Sequence, residues 1–199
     1  MLQSLHASFV LGFHGCDRHV GEALLSGAAF APSENVYDWL GSGIYFWEAN
    51  PLRGLEFAQE LKVRRVGRPN AIKDPFVVGA VIELGFCLDL TSSAGISAVK
   101  AAHTDFAAYM QTAGEPMPTN FLGDDLLKRS LDCAVVNHLH GVRTKLGRPA
   151  HDSVRGVFLE GGRIYETSGF FNKTHIQLCI RNPGCIKGVF RVAEELLSA

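Results

Sequence analysis

Three short segments of the sequence contain polar and aromatic side chains that a purely structural role leaves unexplained. They are FHG, GIYFW and HIQLCI, and their candidate functional residues are His14, Tyr45 and Gln177. Imidazole and amide groups can hydrogen-bond a ligand, a tyrosine ring can stack on one, and the glycine after His14 allows close approach to the backbone. Each segment alone is weak evidence, because a lone histidine at a strand end or a tyrosine within a strand is more often structural.

Alternation along the second and third segments places these side chains on defined faces. Tyr45 shares its face with Trp47, and Gln177 shares its face with His175 and Cys179. The opposite faces are apolar and consist of Ile44, Phe46, Ile176, Leu178 and Ile180. A strand that buries one face and turns His and Gln to the other either faces water or lines a cleft.

The flanking sequence predicts the elements that must position these segments. FHG ends a strand that starts near Ser8, and Asp17 can cap a helix that runs to about Ser26. GIYFW predicts a short strand. A second helix follows it, with Asn50 as its cap and Pro51 at its first position.

The rest of the chain predicts a mixed α+β fold. Residues 76–90 form a long apolar strand or strand pair with a bulge at Gly85, and two helical patterns follow. The last third predicts strands in SVRGVFLE, THIQLCI and CIKGVFRV. We therefore expect a single domain over residues 1–199, with a helical insertion at about residues 92–145.

Composition argues against several classes of function. Lys+Arg 19 and Asp+Glu 20 give a net charge of -1, and the basic residues are scattered apart from Lys62–Arg65, so a non-specific polyanion binder is not expected. Five cysteines without a CxxC pair predict neither a disulfide framework nor a zinc ribbon. His138 and His140 lie on different faces of a predicted helix, so we expect no metal site. Without an apolar span or a signal-peptide pattern, the sequence predicts a cytoplasmic protein that does not bind membranes.

The order of the motifs carries more information than any one of them. From His14 to Phe46 the chain contains His-Gly, a helix that ends at Gly27, a loop with Ala31-Pro32 and the sequence GSGIYF. This arrangement resembles the start of the catalytic domain of the poly(ADP-ribose) polymerase and diphtheria-toxin-like ADP-ribosyltransferase family. The resemblance covers about the first 60 residues. It implies an ADP-ribosyltransferase fold, with two packed, mainly antiparallel sheets and an NAD+ cleft.

The resemblance also implies a role for each matching residue. His14 would hydrogen-bond the adenosine ribose, and the backbone of Gly15 would bind the nicotinamide carboxamide. Tyr45 would stack on the nicotinamide ring, and Phe57 from the next helix would close the other side. An aromatic face suits a cationic ring, and a backbone donor and acceptor suit a primary amide.

Two further elements would complete the donor site by the same resemblance. Gly41 and Gly43 would let the chain turn sharply beside the dinucleotide. The loop FAPSENVYDW would cover the site, and its candidate ribose or phosphate contacts are Ser33, Asn35 and Asp38.

The third signature residue of the family is usually a glutamate on a late strand, which holds the nicotinamide-ribose hydroxyls. Gln177 occupies the matching position here, with Glu166 or Glu160 as alternatives in a different register. Glutamine can hold a hydroxyl but cannot accept a proton as a general base. We therefore expect a single transfer to a nucleophilic acceptor rather than chain elongation, with His175 as a candidate substitute base.

These features favour an NAD-dependent mono-ADP-ribosyltransferase that uses NAD+ as its donor and no metal. The acceptor is an unknown macromolecule or small molecule. The likeness to bacterial toxins and effectors implies an antitoxin or immunity partner. Trp47 and Glu48 lie outside the family pattern and are where acceptor specificity is expected.

Two other functions compete with this one. The first is a non-catalytic module that binds NAD+ or ADP-ribose and has lost the glutamate. The second is a relative of the RNA 2'-phosphotransferases, which also use NAD+. That function expects a histidine and two arginines around a phosphate, and the sequence shows no obvious set of this kind beyond His14.

Overall fold

The computed structural model describes residues 9–67, 71–123 and 126–198. The strands in this part are β1 (Phe9–Asp17), β2 (Ile44–Glu48), β3 (Pro75–Glu83), β4 (Cys87–Asp89), β5 (Asn120–Phe121), β6 (Lys128–Arg129), β7 (Ser153–Phe158), β8 (His175–Ile180) and β9 (Ile186–Arg191). The helices are α1 (Arg18–Leu25), α2 (Pro51–Arg64), α3 (Ser93–Ala113) and α4 (Ser130–Lys145). Short 3-10 turns span Pro183–Cys185 and Glu194–Leu197. This mixture confirms the α+β class. In the described ranges no helix is both long and apolar enough to cross a membrane.

The starts of α1 and α2 follow from their capping residues. The Asp17 carboxylate accepts a hydrogen bond from the backbone nitrogen of His19 at 3.3 Å. The Asn50 side chain accepts one from the backbone nitrogen of Arg53 at 3.0 Å, and Pro51 takes the first helical position. Each cap satisfies a backbone donor that the helix itself leaves unpaired. Both helices predicted from these residues are confirmed.

Seven strands form one sheet in the order β4-β7-β8-β2-β1-β3-β9, and β5 pairs with β6 in a separate two-stranded sheet. The β4–β7 pair is parallel, and the other neighbours in the large sheet are antiparallel. Strands β4, β7, β8 and β2 form one half of this sheet, and β1, β3 and β9 form the other. The halves are joined where β1 pairs with β2 at two positions, Gly12 with Glu48 and Phe13 with Trp47.

The large sheet curls so that its two halves face each other. Three residues link Glu83 at the end of β3 to Cys87 at the start of β4, and a fully extended link of this length spans about 14 Å. Four strands lie between β3 and β4 in the sheet, so a flat sheet would hold them about 24 Å apart. The described residues thus form one continuous seven-stranded sheet where the sequence predicted two separate sheets.

The link also corrects the expectation for Gly85. This glycine lies between β3 and β4 with a φ of 59°, so it serves a turn rather than a bulge within a strand. The irregular position in β3 lies instead between Val81 and Ile82, opposite β9.

Helices α2, α3 and α4 pack on the outer face of the curled sheet and leave a gap between them, whereas α1 packs against Cys16 and Phe76 on the other face. Leu55 of α2 packs with Phe13 of β1, while α3 and α4 pack over Val154 of β7 and Cys179 of β8. The inner face buries an apolar cluster without a covering helix: Ile44, Phe46, Ala80, Ile82, Leu178, Ile180 and Cys185. The outer face at β2 and the start of β8 lies between α2 and the helix pair, where a cleft opens.

Candidate functional site

The cleft has a volume of about 720 Å³ and is bounded by β2, α2 and the loop over residues 30–39. This volume lies within the range of about 300–1,000 Å³ that is typical of small-molecule sites. The residues predicted from the sequence that line it are His14, Gly43, Tyr45, Phe57 and Gln177. Folding thus brings together residues from β1, β2, α2 and β8 that are far apart in the chain.

The ring of His14 is held by a hydrogen bond to the backbone of β2. Its Nδ1 donates to the carbonyl oxygen of Tyr45 over 2.8 Å. Because a carbonyl oxygen only accepts, Nδ1 carries the proton, and neutral His14 keeps Nε2 as an acceptor. Burial lowers the pKa of His14, which favours this neutral form. The ring also packs edge-on against Phe30, with the ring centroids 5.4 Å apart.

The α-carbon of Gly15 faces α2 rather than the cleft. A Cβ at this position would lie 2.0 Å from the backbone oxygen of Gly54, so the glycine is required for α2 to pack on β1. The backbone oxygen of Gly15 points in another direction, toward β2. The oxygen of Leu11 points toward β2, where it accepts from Ala49 at 2.8 Å, and alternation gives Gly15 the same direction. Because β2 pairs with β1 only as far as Phe13, the Gly15 backbone lies beyond the end of that pairing.

Tyr45 is more embedded than a residue that only lines a cleft. Its hydroxyl donates to the backbone oxygen of Gly41 at 2.6 Å and accepts from the backbone nitrogen of Leu40 at 2.9 Å. The ring packs against the cluster beneath α3 and α4, and burial raises the pKa of the phenol well above its usual value. Tyr45 therefore has structural contacts of its own and also reaches the cleft.

The aromatic pair at the floor of the cleft is Trp47 with Phe57. Their ring centroids lie 4.7 Å apart, and Trp47 is only 3% exposed. Phe57 therefore lines the cleft from α2 as expected, but its ring contacts Trp47. Alternation along β2 is confirmed, because Trp47 and Tyr45 share the outer face while Phe46 and Ile44 lie in the inner core.

Gln177 lies beside this pair on the neighbouring strand. It stands directly opposite Trp47 in the β2–β8 register, and both residues line the cleft. Its Oε1 is sealed from solvent and has no hydrogen-bond partner among the described residues. The amide nitrogen of Gln177 is therefore the polar atom that the side chain offers to the cleft.

Gly41 and Gly43 allow close packing around Tyr45. Gly41 has a φ of 79°, which favours glycine, and a Cβ there would lie 2.7 Å from Oδ1 of Asn137 in α4. A Cβ at Gly43 would lie 2.5 Å from Sγ of Cys179 on β8. Both glycines are thus required by the protein's own packing, and Gly43 also lines the cleft.

The 30–39 loop forms one wall of the cleft and is fastened at both ends. Ser33 and Gly43 exchange two backbone hydrogen bonds of 2.8 and 3.0 Å. Nδ2 of Asn35 donates to Oγ of Ser33 at 2.8 Å and to Asp38 at 3.2 Å. Burial raises the pKa of Asp38. The three polar candidates of this loop, Ser33, Asn35 and Asp38, all line the cleft and hold one another in place.

The β5–β6 hairpin supplies a wall that the sequence did not predict. Its backbone oxygen at Leu127 accepts from Nε1 of Trp39 at 2.9 Å, which ties the hairpin to the 30–39 loop. Lys128 lies 4.8 Å from the centroid of the Tyr37 ring and adds a positive charge to the lining. Arg64 and Arg65 from the end of α2 add two more.

Arg53 and Glu160 form the second unexpected feature. Arg53 is 4% exposed and Glu160 is 6% exposed, and Nη2 of Arg53 donates to both carboxylate oxygens at 3.0 and 3.2 Å. Arg53 also pairs with Glu60, seven residues later in α2, at 3.2 Å. The spacing of opposite charges along α2, with Glu56 and Glu60 three and seven residues after Arg53, is a sequence signal for part of this network.

The other candidates for the third signature position and for the substitute base lie in three different environments. Glu160 lines the cleft but its carboxylate is taken up by Arg53. Glu166 is exposed in the segment between β7 and β8 and does not line the cleft. His175 is buried, 5% exposed, and Nδ1 donates to the oxygen of Lys173 at 2.7 Å. His175 stacks behind Trp39 and is not among the residues that line the cleft.

Glu48 has a structural partner. Its carboxylate accepts from Nε and Nη2 of Arg155 on β7 at 2.6 and 3.0 Å. This ion pair spans β8 on the inner face of the sheet and connects β2 to β7. Glu48 therefore does not line the cleft, whereas Trp47 does.

Within the residues that the structure describes, no group of three His, Cys, Asp or Glu side chains is arranged to hold a metal ion. His138 pairs with Asp105 at 2.7 Å, whereas His140 packs edge-on against His151 with 5.3 Å between centroids. These two histidines therefore have separate partners, as their spacing on a helix requires.

No family profile, curated protein or solved structure matches this chain significantly.

Proposed function

We propose that the protein is an NAD-dependent mono-ADP-ribosyltransferase with its donor site in the cleft. The observation that carries this proposal is the hydrogen bond between Nδ1 of His14 and the oxygen of Tyr45, in a cleft that Gln177 also lines. The three positions that the sequence motifs single out therefore meet at one site of suitable volume. A fold resemblance alone would be weaker support, because a fold does not define a function.

The cleft offers a complementary group to each part of NAD+. Nε2 of His14 is an acceptor and would bind a ribose hydroxyl. The backbone of Gly15, beyond the end of the β1–β2 pairing, would pair with the carboxamide. Tyr45 and Phe57 supply aromatic surface for the cationic ring, and the buried Trp47 supports Phe57.

The charges at the rim suit the two phosphates of the same ligand. Arg64, Arg65 and Lys128 line the cleft, and Lys and Arg are the common partners of phosphate oxygens. The buried Arg53 is committed to Glu160 and Glu60, whereas Arg64, which also pairs with Glu60 at 2.7 Å, is exposed, so we assign phosphate binding to the three rim residues.

The reaction would break the bond between the ribose carbon and the nicotinamide nitrogen. The nicotinamide leaves with the bonding electron pair and becomes neutral, and the ribose passes through an oxocarbenium-like state, as in glycoside cleavage. An acceptor lone pair then forms the new bond to the ribose carbon. Since Gln177 cannot take the acceptor's proton, the acceptor would be a group that is already nucleophilic, such as a carboxylate, phosphate, thiolate or ring nitrogen.

Gln177 also favours one competing function. A module that binds NAD+ or ADP-ribose without catalysis would keep the cleft and dispense with the glutamate. The two proposals differ in whether nicotinamide is released.

To test the proposal, the purified protein is incubated with NAD+, alone and with a cell lysate, and free nicotinamide is measured. Binding of NAD+ is measured separately by calorimetry. The transferase predicts nicotinamide release and a labelled acceptor that mass spectrometry identifies. Binding without release would support the module. Absence of binding would contradict both.

A further inference from the structure

Several buried polar atoms beside the cleft, among them Nε of Arg53, have no hydrogen-bond partner among the described residues, and three of these atoms lie on adjoining residues of β2 and β8. They are Nε1 of Trp47, Nε2 of His175 and Oε1 of Gln177, and each is sealed from solvent. A buried polar group without a partner costs about 1–3 kcal/mol, and native proteins contain few of them. Three on adjoining residues indicate a shared partner.

The three side chains belong to one face of two neighbouring strands. Trp47 and Gln177 are directly opposed in the β2–β8 register, and His175 lies two residues before Gln177 on the same face. The ring centroids of Trp47 and His175 are 6.4 Å apart. Diagonal neighbours in an antiparallel pair are within reach of long and aromatic side chains.

The hydrogen-bonding character of each atom is fixed. An indole Nε1 only donates, and an amide Oε1 only accepts. Nδ1 of His175 must donate to the oxygen of Lys173 at 2.7 Å, so Nε2 of the neutral ring is an acceptor. Burial lowers the pKa of His175 and keeps the ring neutral. The set therefore consists of one donor and two acceptors.

We propose that one water molecule is bound between Trp47, His175 and Gln177. Its oxygen accepts from Nε1 of Trp47, and its two hydrogens are donated to Nε2 of His175 and Oε1 of Gln177. Buried waters typically make about three hydrogen bonds of this kind. A metal ion could not accept from the indole, and an anion such as chloride could not donate to the two acceptors.

The water has a consequence for Gln177, which rests on the proposed function. With Oε1 held inward, the side chain presents its NH2 group to the cleft, so it would donate a hydrogen bond to a ribose oxygen rather than accept one. Trp47 and His175 are then positioning residues that act on Gln177 through the water. His175 keeps a role at the site without contacting the substrate.

Nuclear magnetic resonance can test the water directly, because the chain contains only two tryptophans. The indole N–H of Trp39 donates to a backbone carbonyl, whereas that of Trp47 would donate to the water. We expect a cross-peak between a long-lived water and the Trp47 indole proton and none at Trp39, with Trp39→Phe used to assign the two signals. A wild-type spectrum without a water cross-peak at Trp47 would overturn the proposal.

Two variants identify the other partners. His175→Phe keeps a ring against Trp39 and Phe158 but removes the acceptor, and Gln177→Leu removes the other acceptor from a half-buried position. We expect each to abolish the water cross-peak at Trp47. Retention of the full cross-peak in either folded variant would overturn that residue's part in the site.

The effect of the water on the orientation of Gln177 is tested separately by enzyme kinetics. In His175→Phe we expect kcat for nicotinamide release to fall about tenfold with little change in KM for NAD+, a loss of ~1.4 kcal/mol in the transition state alone. An unchanged kcat, with the water lost, would show that the water does not orient Gln177. Because the spectra are recorded without NAD+, failure of the proposed function leaves the test of the water intact.

Discussion

Nη2 of Arg53 donates to both oxygens of the Glu160 carboxylate, and neither residue is more than 6% exposed. The pair joins α2 to the segment that follows β7 and forms part of the cleft wall. A buried ion pair of this kind contributes little net stability over an apolar pair, but loss of one partner leaves an uncompensated buried charge.

Arg53→Met should therefore destabilise the protein by about 3–5 kcal/mol. The double variant Arg53→Met/Glu160→Gln removes both charges and should recover part of this loss. Urea unfolding of the two single variants and the double variant gives the coupling energy. Strictly additive effects would contradict a direct interaction.

Replacement of Tyr45 separates its two contributions. Tyr45→Phe removes a hydroxyl that bonds Leu40 and Gly41, and should cost about 1–3 kcal/mol because both backbone groups lose a partner. It keeps the ring, so NAD+ affinity should change little. Tyr45→Ala should cost about 3–5 kcal/mol, as expected for loss of a packed aromatic ring. Calorimetric binding and urea unfolding measure the two effects, and equal stability of all three proteins would show that Tyr45 is not part of the core.

His14→Ala removes both the bond to Tyr45 and the Nε2 acceptor. We expect NAD+ affinity to fall at least about tenfold, equivalent to ~1.4 kcal/mol. His138→Ala is a matched control, since His138 pairs with Asp105 and does not line the cleft. Similar NAD+ affinities for both variants, measured by calorimetry, would place the donor outside this cleft.

Gln177→Ala should reduce turnover more than donor affinity, with kcat about 10–100-fold lower, because its contact is expected to strengthen as the ribose becomes oxocarbenium-like. Glu166→Ala should have the activity of the wild type, since this residue is exposed and outside the cleft. Steady-state release of nicotinamide measures both. A loss of turnover in Glu166→Ala alone would transfer the third position to that residue.

Stability should fall below neutral pH because of His140. Burial, together with the positive charge of Arg181 and the neighbouring His151 and Arg143, lowers the pKa of His140 to about 3. Between pH values of about 6.5 and 3 the unfolded chain binds a proton at this site and the folded chain does not, so stability rises with pH there, by up to about 1.4 kcal/mol per unit.

His140→Phe should reduce this slope, and His103→Ala, at an exposed position, should not. Urea unfolding at a series of pH values between 4 and 7 measures the slope. Identical slopes in wild type and His140→Phe would contradict the assignment. Some slope should remain in His140→Phe, because burial also lowers the pKa of His14, His151 and His175.

The sequence predicted those features that depend on local chemistry. The caps at Asp17 and Asn50 located two helices, and alternation along β2 and β8 placed Tyr45, Trp47 and Gln177 on one face. Both kinds of signal act within a few residues, so one sequence is enough to detect them.

The remaining features depend on contacts between distant segments. Residues 76–90 form one continuous apolar signal, although four other strands separate β3 from β4 in the sheet, because hydrophobic periodicity carries no information about strand order. The burial of His175 depends on Trp39 and Phe158, and that of Glu160 depends on Arg53. No local pattern around His175 or Glu160 indicates these partners.

The pairing of β2 with β8 has a consequence for the time at which the site can form. The cleft requires His14 and Tyr45 from the first quarter of the chain and Gln177 from close to its end. During synthesis the N-terminal part of the chain emerges first. The edge of β2 that pairs with β8 therefore stays unpaired until β8 has been synthesised. Such non-local pairing slows folding relative to local contacts. Assembly of the cleft is therefore expected to be a late event. A nascent chain whose β8 segment has not yet emerged from the ribosome should be unable to cleave NAD+.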